Sequence, residues 1–275
     1  MSIRTALVTG SSSGIGRATV EALLDNEWRV YATARDPDDV ADLGDRTDCV
    51  TARLDVTEGN NVEQVVARMI DEEGRIDCLV NNAGYGQFGP LEDVPVGRAR
   101  RQYEVNVHGP HRLIRAVLPH MRERADGTIV NVSSVAGRVS FPGSGVYCGS
   151  KFALEAMSDA LRAEVRSKGV DVVIVEPGPV STNFTDRAET EVEGVERSGA
   201  YDSFYSAFSD ASLFGDDGPT TVTPERVASD VLNAASATKP RARYPVGTPA
   251  RLGVLGRFVP DQLRDSAFSF LDRLY

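Results

Sequence analysis

Short apolar runs alternate with longer amphipathic stretches from residue 3 to about residue 176, the signature of repeated strand–helix units and therefore of a parallel sheet. The runs predict strands at Ile3–Thr9, Arg29–Ala34, Cys49–Leu54, Cys78–Asn81, Thr128–Ser133, Asp171–Glu176 and Arg243–Val246. The stretches between them predict helices that include Ile15–Asp25, Val62–Glu73, Val96–Met121 and Tyr147–Lys168. The expected fold class is α/β: one domain over residues 1–275 with a doubly wound parallel sheet of about seven strands. From Thr182 to Pro224 the texture changes to Ser, Asp, Glu and Gly with scattered aromatics (Phe184, Tyr201, Phe204, Tyr205, Phe208 and Phe214). Two readings of that stretch stay open, a lid over an apolar ligand at the carboxyl edge of the sheet or a surface helical hairpin. The tail, residues 248–275, carries Leu252, Leu255, Phe258, Val259, Leu263, Phe268, Leu271 and Leu274. It is short and lacks a strongly basic face, so core packing or a subunit contact is expected rather than membrane association.

With 275 residues, 41% hydrophobic and 25% charged, the chain can bury a core without disulfides or a structural metal. Its formal net charge of −10 repels a polyanion and excludes the electrostatic footprint of a nucleic-acid binder. Cys49, Cys78 and Cys148 are odd in number and widely spaced, which fits a reducing compartment. No basic leader precedes an apolar stretch, and no run of about 18 apolar residues occurs, so a cytoplasmic protein without membrane segments is expected. Only Lys151, Lys168 and Lys239 represent lysine among the 30 basic residues, a bias that suits either a salt-rich cytoplasm or a GC-rich genome.

The first predicted strand runs into Thr9-Gly10-Ser11-Ser12-Ser13-Gly14-Ile15-Gly16-Arg17 and then a helix. Glycines let backbone approach a pyrophosphate, and a helix N-terminus offers unpaired N–H groups and positive dipole. The spacing is G-x-x-x-G-x-G and not the generic dinucleotide fingerprint G-x-G-x-x-G. About 20 residues on, where a carboxylate would bind the adenosine ribose, the second strand ends in neutral Ala34 followed by Arg35. A guanidinium there holds a 2′-phosphate by charge-assisted hydrogen bonds, favouring NADP(H), with NAD(H) the alternative if the adjacent Asp36 is presented instead.

Tyr147 and Lys151 open a helix at i and i+4 and share one face, the buried side of which is expected to carry Phe152, Ala156, Met157, Ala160 and Leu161. A phenol titrates near ~10, and a neighbouring ammonium lowers that value toward the range of a proton shuttle. Thirteen residues before Tyr147, the strand Thr128-Ile129-Val130-Asn131-Val132-Ser133-Ser134 ends in hydroxyls at the edge where open α/β sheets place ligands. Ser134 is positioned to donate to a substrate oxygen, an effect worth about 3 kcal/mol for one well-placed donor.

In this order the motifs resemble the short-chain dehydrogenase/reductase family over residues 3–247. The glycine spacing is similar to that family's own motif, Asp55-Val56 to its adenine-side pair, Asn81-Asn82-Ala83-Gly84 to its NNAG motif, and Pro177-Gly178-Pro179-Val180-Ser181-Thr182 to its PG motif. Asn106 falls at the catalytic asparagine, with Ser134, Tyr147 and Lys151 at the remaining catalytic positions. The resemblance implies a Rossmann fold and hydride exchange between a nicotinamide cofactor and a ketone or aldehyde. In that scheme Gly10–Ile15 hold the pyrophosphate and Val180 and Thr182 orient the carboxamide. Ser134 binds the carbonyl oxygen, Tyr147 protonates it, Lys151 lowers the Tyr147 pKa and holds the nicotinamide ribose, and Asn106 anchors a water through its backbone. It also implies a homodimer or homotetramer built through the helices Val96–Met121 and Tyr147–Lys168. The stretches Asn82–Glu92 and Arg241–Gly247 look most like hydroxysteroid- and retinol-dehydrogenase-type members, implying a somewhat apolar substrate walled by Phe88, Phe141, Phe184 and lid aromatics.

His108 and His111 lack a third ligand by spacing and His120 lies apart, so no metal site is expected. Cys148 is read as a space-filling residue, and Asp36-Pro37-Asp38-Asp39 as a turn and helix start. Two other functions fit parts of the pattern. A cofactor-sensing regulator would have no need of Ser134, Tyr147 and Lys151 together. A sugar-nucleotide epimerase or dehydratase would need a larger substrate domain than the roughly 90 residues that follow Pro179.

Overall fold

Seven runs of small and β-branched residues form one sheet of parallel strands in the order β3-β2-β1-β4-β5-β6-β7. The strands are β1 (Thr5–Thr9), β2 (Arg29–Ala34), β3 (Cys49–Arg53), β4 (Cys78–Asn81), β5 (Gly127–Val132), β6 (Val170–Pro177) and β7 (Arg243–Val246). The computed structural model describes residues 3–209, 220–256, 258–263 and 265–266. Phe214, Phe268, Leu271 and Leu274 therefore lie outside the described residues.

Successive side chains of a strand point to opposite faces, so each strand serves two cores. Val8, Val80, Val130 and Val173 meet Val20 and Leu23 of α1 (Gly14–Leu24) and Val227 and Val231 of α8 (Pro224–Ser236). Their neighbours Leu7, Leu79, Ile129 and Val172 meet Val62, Val65 and Met69 of α2 (Gly59–Glu73) and Leu113, Val117 and Met121 of α4 (Gly109–Arg124). With both faces covered, the strands read as nearly continuous apolar runs. The doubly wound α/β sheet expected from the periodicity is the one observed, and its order reverses between β1 and β4, where the carboxyl ends open a crevice.

Two expectations need correction. The single helix predicted over Val96–Met121 is interrupted: α3 (Val96–Tyr103) passes through a π turn at Glu104–His108 before α4 begins. Pro110 has no N–H, so the α-helical bond to the Asn106 carbonyl one turn earlier cannot form. The buried face of α5 (Gly145–Val165) is the one that carries Tyr147, Lys151, Leu154, Glu155 and Ser158. Phe152, 44% exposed, points outward with Ala156 and Ala160, while Met157 and Leu161 are half-buried. The catalytic-type pair and the polar groups behind it occupy the inner side, which leaves the apolar stripe on the surface.

The stretch that changes texture after Thr182 folds as α6 (Phe184–Glu193) and α7 (Asp202–Ser209), and Phe184, Phe204 and Phe208 line the mouth of the crevice rather than a remote surface. An isolated parallel bridge between Val180 and Val222 ties its two ends together. In the tail, α9 (Thr248–Gly256) is followed by short helical segments, and Leu252, Phe258, Val259 and Leu263 are exposed, so core packing does not account for these four. Among the described residues no helix is long and apolar enough to cross a membrane.

Candidate active site

At the carboxyl end of β1 the chain turns through Gly10 and Gly14, both at positive φ (68° and 52°), into α1. Ser13 precedes that helix without capping it through its side chain, leaving the first N–H groups directed at the crevice. Gly16 lies beneath the turn, where a Cβ would come within 2.0 Å of the Gly10 carbonyl oxygen. The turn is stapled to the strand beside it. Asn82 Nδ2 donates to the carbonyls of Thr9 and Gly10 at 3.0 and 3.1 Å, and the Thr9 hydroxyl accepts from the backbone N–H groups of Asn82 and Ala83, each at 3.0 Å. These bonds bring the NNAG segment under the glycines, so β1 and β4 form one rigid floor.

Ser134, Tyr147 and Lys151 converge on the same crevice, a cleft of about 2250 Å³. Lys151 Nζ donates to the Val132 carbonyl at 2.9 Å and lies 5.9 Å from the centre of the Tyr147 ring. The Ser134 hydroxyl accepts from the Ala136 N–H at 3.1 Å and is within hydrogen-bonding reach of the Tyr147 phenol. A polar ladder seats α5 against the sheet: Asn81 Nδ2 donates to Asn131 Oδ1 and Asn131 Nδ2 to Ser158 Oγ, both at 2.8 Å. The expected lowering of the phenol pKa by the ammonium is not the balance in the chain alone. Burial pushes Tyr147 up to about 12, with the Ser134 hydroxyl pulling the other way. Burial also pushes Lys151 down to about 8 against the raising influence of Glu155.

Aromatic rings roof this pair. Phe88 and Phe184 stand 5.4 and 5.6 Å from Tyr147 between ring centres, and Phe208 stands 5.9 Å from Phe88. Tyr205 anchors the roof by donating to Asp93 at 2.8 Å.

Of the site residues expected from the sequence, all but Gly16 and Asn106 line this one cleft: Ser12, Ser13, Ile15, Arg35, Asp55, Val56, Ala83, Gly84, Pro177, Gly178, Val180 and Thr182 join those already placed. Thr182 sits over the glycine turn, its methyl 3.0 Å from where a Gly14 Cβ would be. Asn106 lies behind the cleft in the π turn; its side chain brackets Tyr85, accepting from the N–H at 3.2 Å and donating to the carbonyl at 3.0 Å, and also reaches Ser150 Oγ at 3.2 Å. Burial works against the Asp55 carboxylate, but hydrogen bonds from the N–H and hydroxyl of Thr57 hold its pKa below the ordinary value. Gln102 was not singled out by the sequence. It accepts from the Gln87 N–H and donates to the Tyr85 carbonyl, each at 2.5 Å, and so shapes the loop that carries Phe88. No spacing rule points to it, because both partners lie in a loop more than a dozen residues earlier.

The short chain dehydrogenase family model matches residues 4–193. The Escherichia coli protein named "Uncharacterized oxidoreductase YbbO" is 35% identical over 266 residues, 95% of this chain and 93% of that one. The crystal structure of a short-chain dehydrogenase from Streptomyces avermitilis has a TM-score of 0.81 at 34% identity, covering 99% of this chain and 98% of that one. A short chain dehydrogenase from Burkholderia cenocepacia, crystallised with NADP, has a TM-score of 0.77 at 27% identity over 97% of this chain and 98% of its own. With the parallel sheet, the glycine turn and the Ser134, Tyr147 and Lys151 cluster in one crevice, these likenesses establish that the chain is an oxidoreductase belonging to the short chain dehydrogenase family.

Proposed function

We propose that this oxidoreductase uses NADP(H) to interconvert a ketone or aldehyde and the corresponding alcohol, with Tyr147 as general acid and base. The observation that carries the reading is the convergence of Ser134, Tyr147 and Lys151 beside the uncapped start of α1. The residues present suit a phosphate-bearing dinucleotide: positive-φ glycines, free helix N–H groups and a guanidinium at the far end of the cleft. Such a group, when bound, supplies or accepts the hydride. Ser134 donates to the carbonyl oxygen and Tyr147 delivers the proton to it. Lys151 keeps positive charge beside the phenol and holds the nicotinamide ribose, Val180 and Thr182 orient the carboxamide, and Asn106 anchors a water through its backbone. The Asp36 carboxylate accepts from the Asp38 N–H at 3.1 Å through one oxygen and so caps the following helical turn, while Asp36 lines the cleft beside Arg35. Arg35 makes no ion pair with a carboxylate among the described residues, though its charge is felt by Asp55, and a guanidinium at this place supports NADP(H) over NAD(H). The rings of Phe88, Phe141, Phe184, Phe204 and Phe208 give the substrate end an apolar character, and α6 and α7 act as its lid.

The test is dinucleotide oxidation followed against aromatic, steroidal and aliphatic ketones and aldehydes. Turnover with NADPH well above that with NADH is expected, and the best substrates should be apolar. Absence of any carbonyl-dependent oxidation, or a clear preference for NADH, would overturn the corresponding half of the proposal.

The family resemblance and the outward-facing Phe152, Ala156 and Ala160 of α5 support a homodimer or homotetramer joined through α4 and α5. Light scattering should give two or four chains, and a Phe152→Glu variant should shift the assembly toward monomer; a monomeric parent protein would remove this expectation.

A further inference from the structure

Among the described residues three arginines line the cleft, Arg35, Arg53 and Arg187, and others on nearby elements are matched to acids. Arg17 pairs with Asp42 and Glu21, Arg53 with Glu58 at 3.2 Å, and Arg98 with Glu191 at 3.1 Å. Of the three in the cleft, Arg53 alone makes an ion pair among the described residues, which leaves Arg35 and Arg187. Arg187 belongs to α6, the helix over the cleft, and lines the same cavity as Arg35. Its guanidinium carbon stands 4.9 Å over the centre of the Tyr85 ring, which fixes it on the roof side without neutralising it. Among the described residues neither Arg187 nor Arg35 makes an ion pair with a carboxylate; Glu191 pairs with Arg98 and Asp55 accepts from Thr57, although the charge of Glu191 still reaches Arg187 and that of Asp55 reaches Arg35. Both side chains are exposed to the cleft; partial burial and the charge of Arg35 lower the proton affinity of Arg187 while Glu191 and Tyr85 raise it, so the two cations lie near enough to interact. In a chain with a net charge of −10, two unpaired guanidiniums facing one cavity describe an anion site.

We infer that Arg187 is the second, roof-borne cation of the phosphate site that Arg35 begins, and that the two together grip the 2′-phosphate of NADP(H) from opposite walls of the cleft. The inference rests on the cofactor reading above and adds to it a residue that no glycine or ribose motif contains. It also couples the roof to the cofactor, since α6 carries both Arg187 and the ring of Phe184 that touches Tyr147.

Equilibrium binding of NADPH, NADH and adenosine 2′,5′-bisphosphate, followed by fluorescence or calorimetry at two salt concentrations, tests it without reference to turnover. For Arg187→Ala, NADPH and the bisphosphate should bind about tenfold more weakly, the magnitude of one charge-assisted hydrogen bond. NADH should change by less than about twofold, and the salt dependence of NADPH binding should become shallower. Arg187→Lys should recover part of the loss. An equal loss for NADPH and NADH would place Arg187 away from the 2′-phosphate and overturn the inference, as would unchanged NADPH binding. If Arg35→Ala abolishes the NADPH preference while Arg187→Ala leaves it intact, the cofactor reading stands and only the role of Arg187 fails. If the parent protein binds NADH as tightly as NADPH, it is the cofactor reading that fails.

Discussion

Replacing Tyr147 with phenylalanine is expected to lower carbonyl reduction by about 10²–10⁴-fold, the contribution of one positioned general acid, while leaving dinucleotide binding and the fold unchanged. The ring makes the packing contacts, at 5.4 Å to Phe88 and 5.6 Å to Phe184, and both survive loss of the hydroxyl. What disappears is a proton held ready. With the phenol pushed up to about 12 by burial, Tyr147 is protonated throughout the neutral range, the form that reduction requires. Alcohol oxidation requires the phenolate, so its rate should rise with pH through the neutral range while reduction stays flat there. Lys151, held down to about 8, loses its charge above that value, so reduction should decline beyond about pH 8. Paired pH profiles of the two directions and single-turnover measurements on the variant check these outcomes. Turnover within about threefold of the parent, or parallel pH profiles in both directions, would assign the proton to another group.

Loss of Arg243 should produce the largest change in stability. This arginine of β7 reaches Glu176 of β6 at 3.1 Å, Glu155 of α5 at 2.7 Å and Asp159 of the same helix at 2.9 Å. Arg138 stands 3.7 Å from both Glu155 and Glu176. Glu155 and Glu176 are almost wholly buried, and each keeps one carboxylate oxygen without a hydrogen-bond partner in the chain. Removing the central cation leaves two like charges in the interior with only Arg138, 3.7 Å from each, to offset them, a change worth about 3 kcal/mol. Arg243→Met should therefore lower Tm by several degrees, measured by calorimetry, and Glu176→Gln in the same chain should restore part of it.

The pH dependence has a definite sign. Burial raises the Glu176 pKa, as does Glu155, while Arg138 and Arg243 hold it back. In the Arg243→Met variant its folded pKa rises further above the unfolded value, so between the two values the folded state binds more protons and stability falls as pH rises. Relative to the parent, the variant should be less impaired near pH 5 than near pH 8. A deficit independent of pH would mean that lost packing rather than stranded charge is responsible. Glu155 lies one helical turn from Lys151 and raises its proton affinity, so the same cluster supports the charge of Lys151.

Much of the fold and the site was legible in the sequence because it is encoded locally. Strand periodicity is a two-residue property, and the i, i+4 pairing of Tyr147 with Lys151 needs only a helix. The glycine turn needs only backbone freedom at Gly10 and Gly14, and the absence of a carboxylate at Ala34 is visible without coordinates. The order of these motifs along one right-handed strand–helix succession then brings them to one sheet edge with little freedom left.

Other features depend on which distant surfaces meet. Apolarity alone chose the wrong side of α5: Phe152, Ala156 and Ala160 are more hydrophobic than Glu155 and Ser158, yet Arg138, Arg243 and Asn131 lie opposite the polar side and satisfy it. The interruption at Asn106 was written in Pro110, but its consequence, an asparagine bracketing Tyr85, required the loop from β4 to return beside it. The high proton affinity of the Tyr147 phenol comes from a roof contributed by residues far along the chain, since desolvation depends on everything packed around a group rather than on its nearest charge. Residue order by itself determined the architecture, the glycine turn and which three residues are proposed as the catalytic trio. Only the tertiary structure decided how those groups are charged, what roofs them, and that Arg187 and Arg35 line one cleft, because electrostatics and burial act through space and sequence spacing measures distance only along the chain.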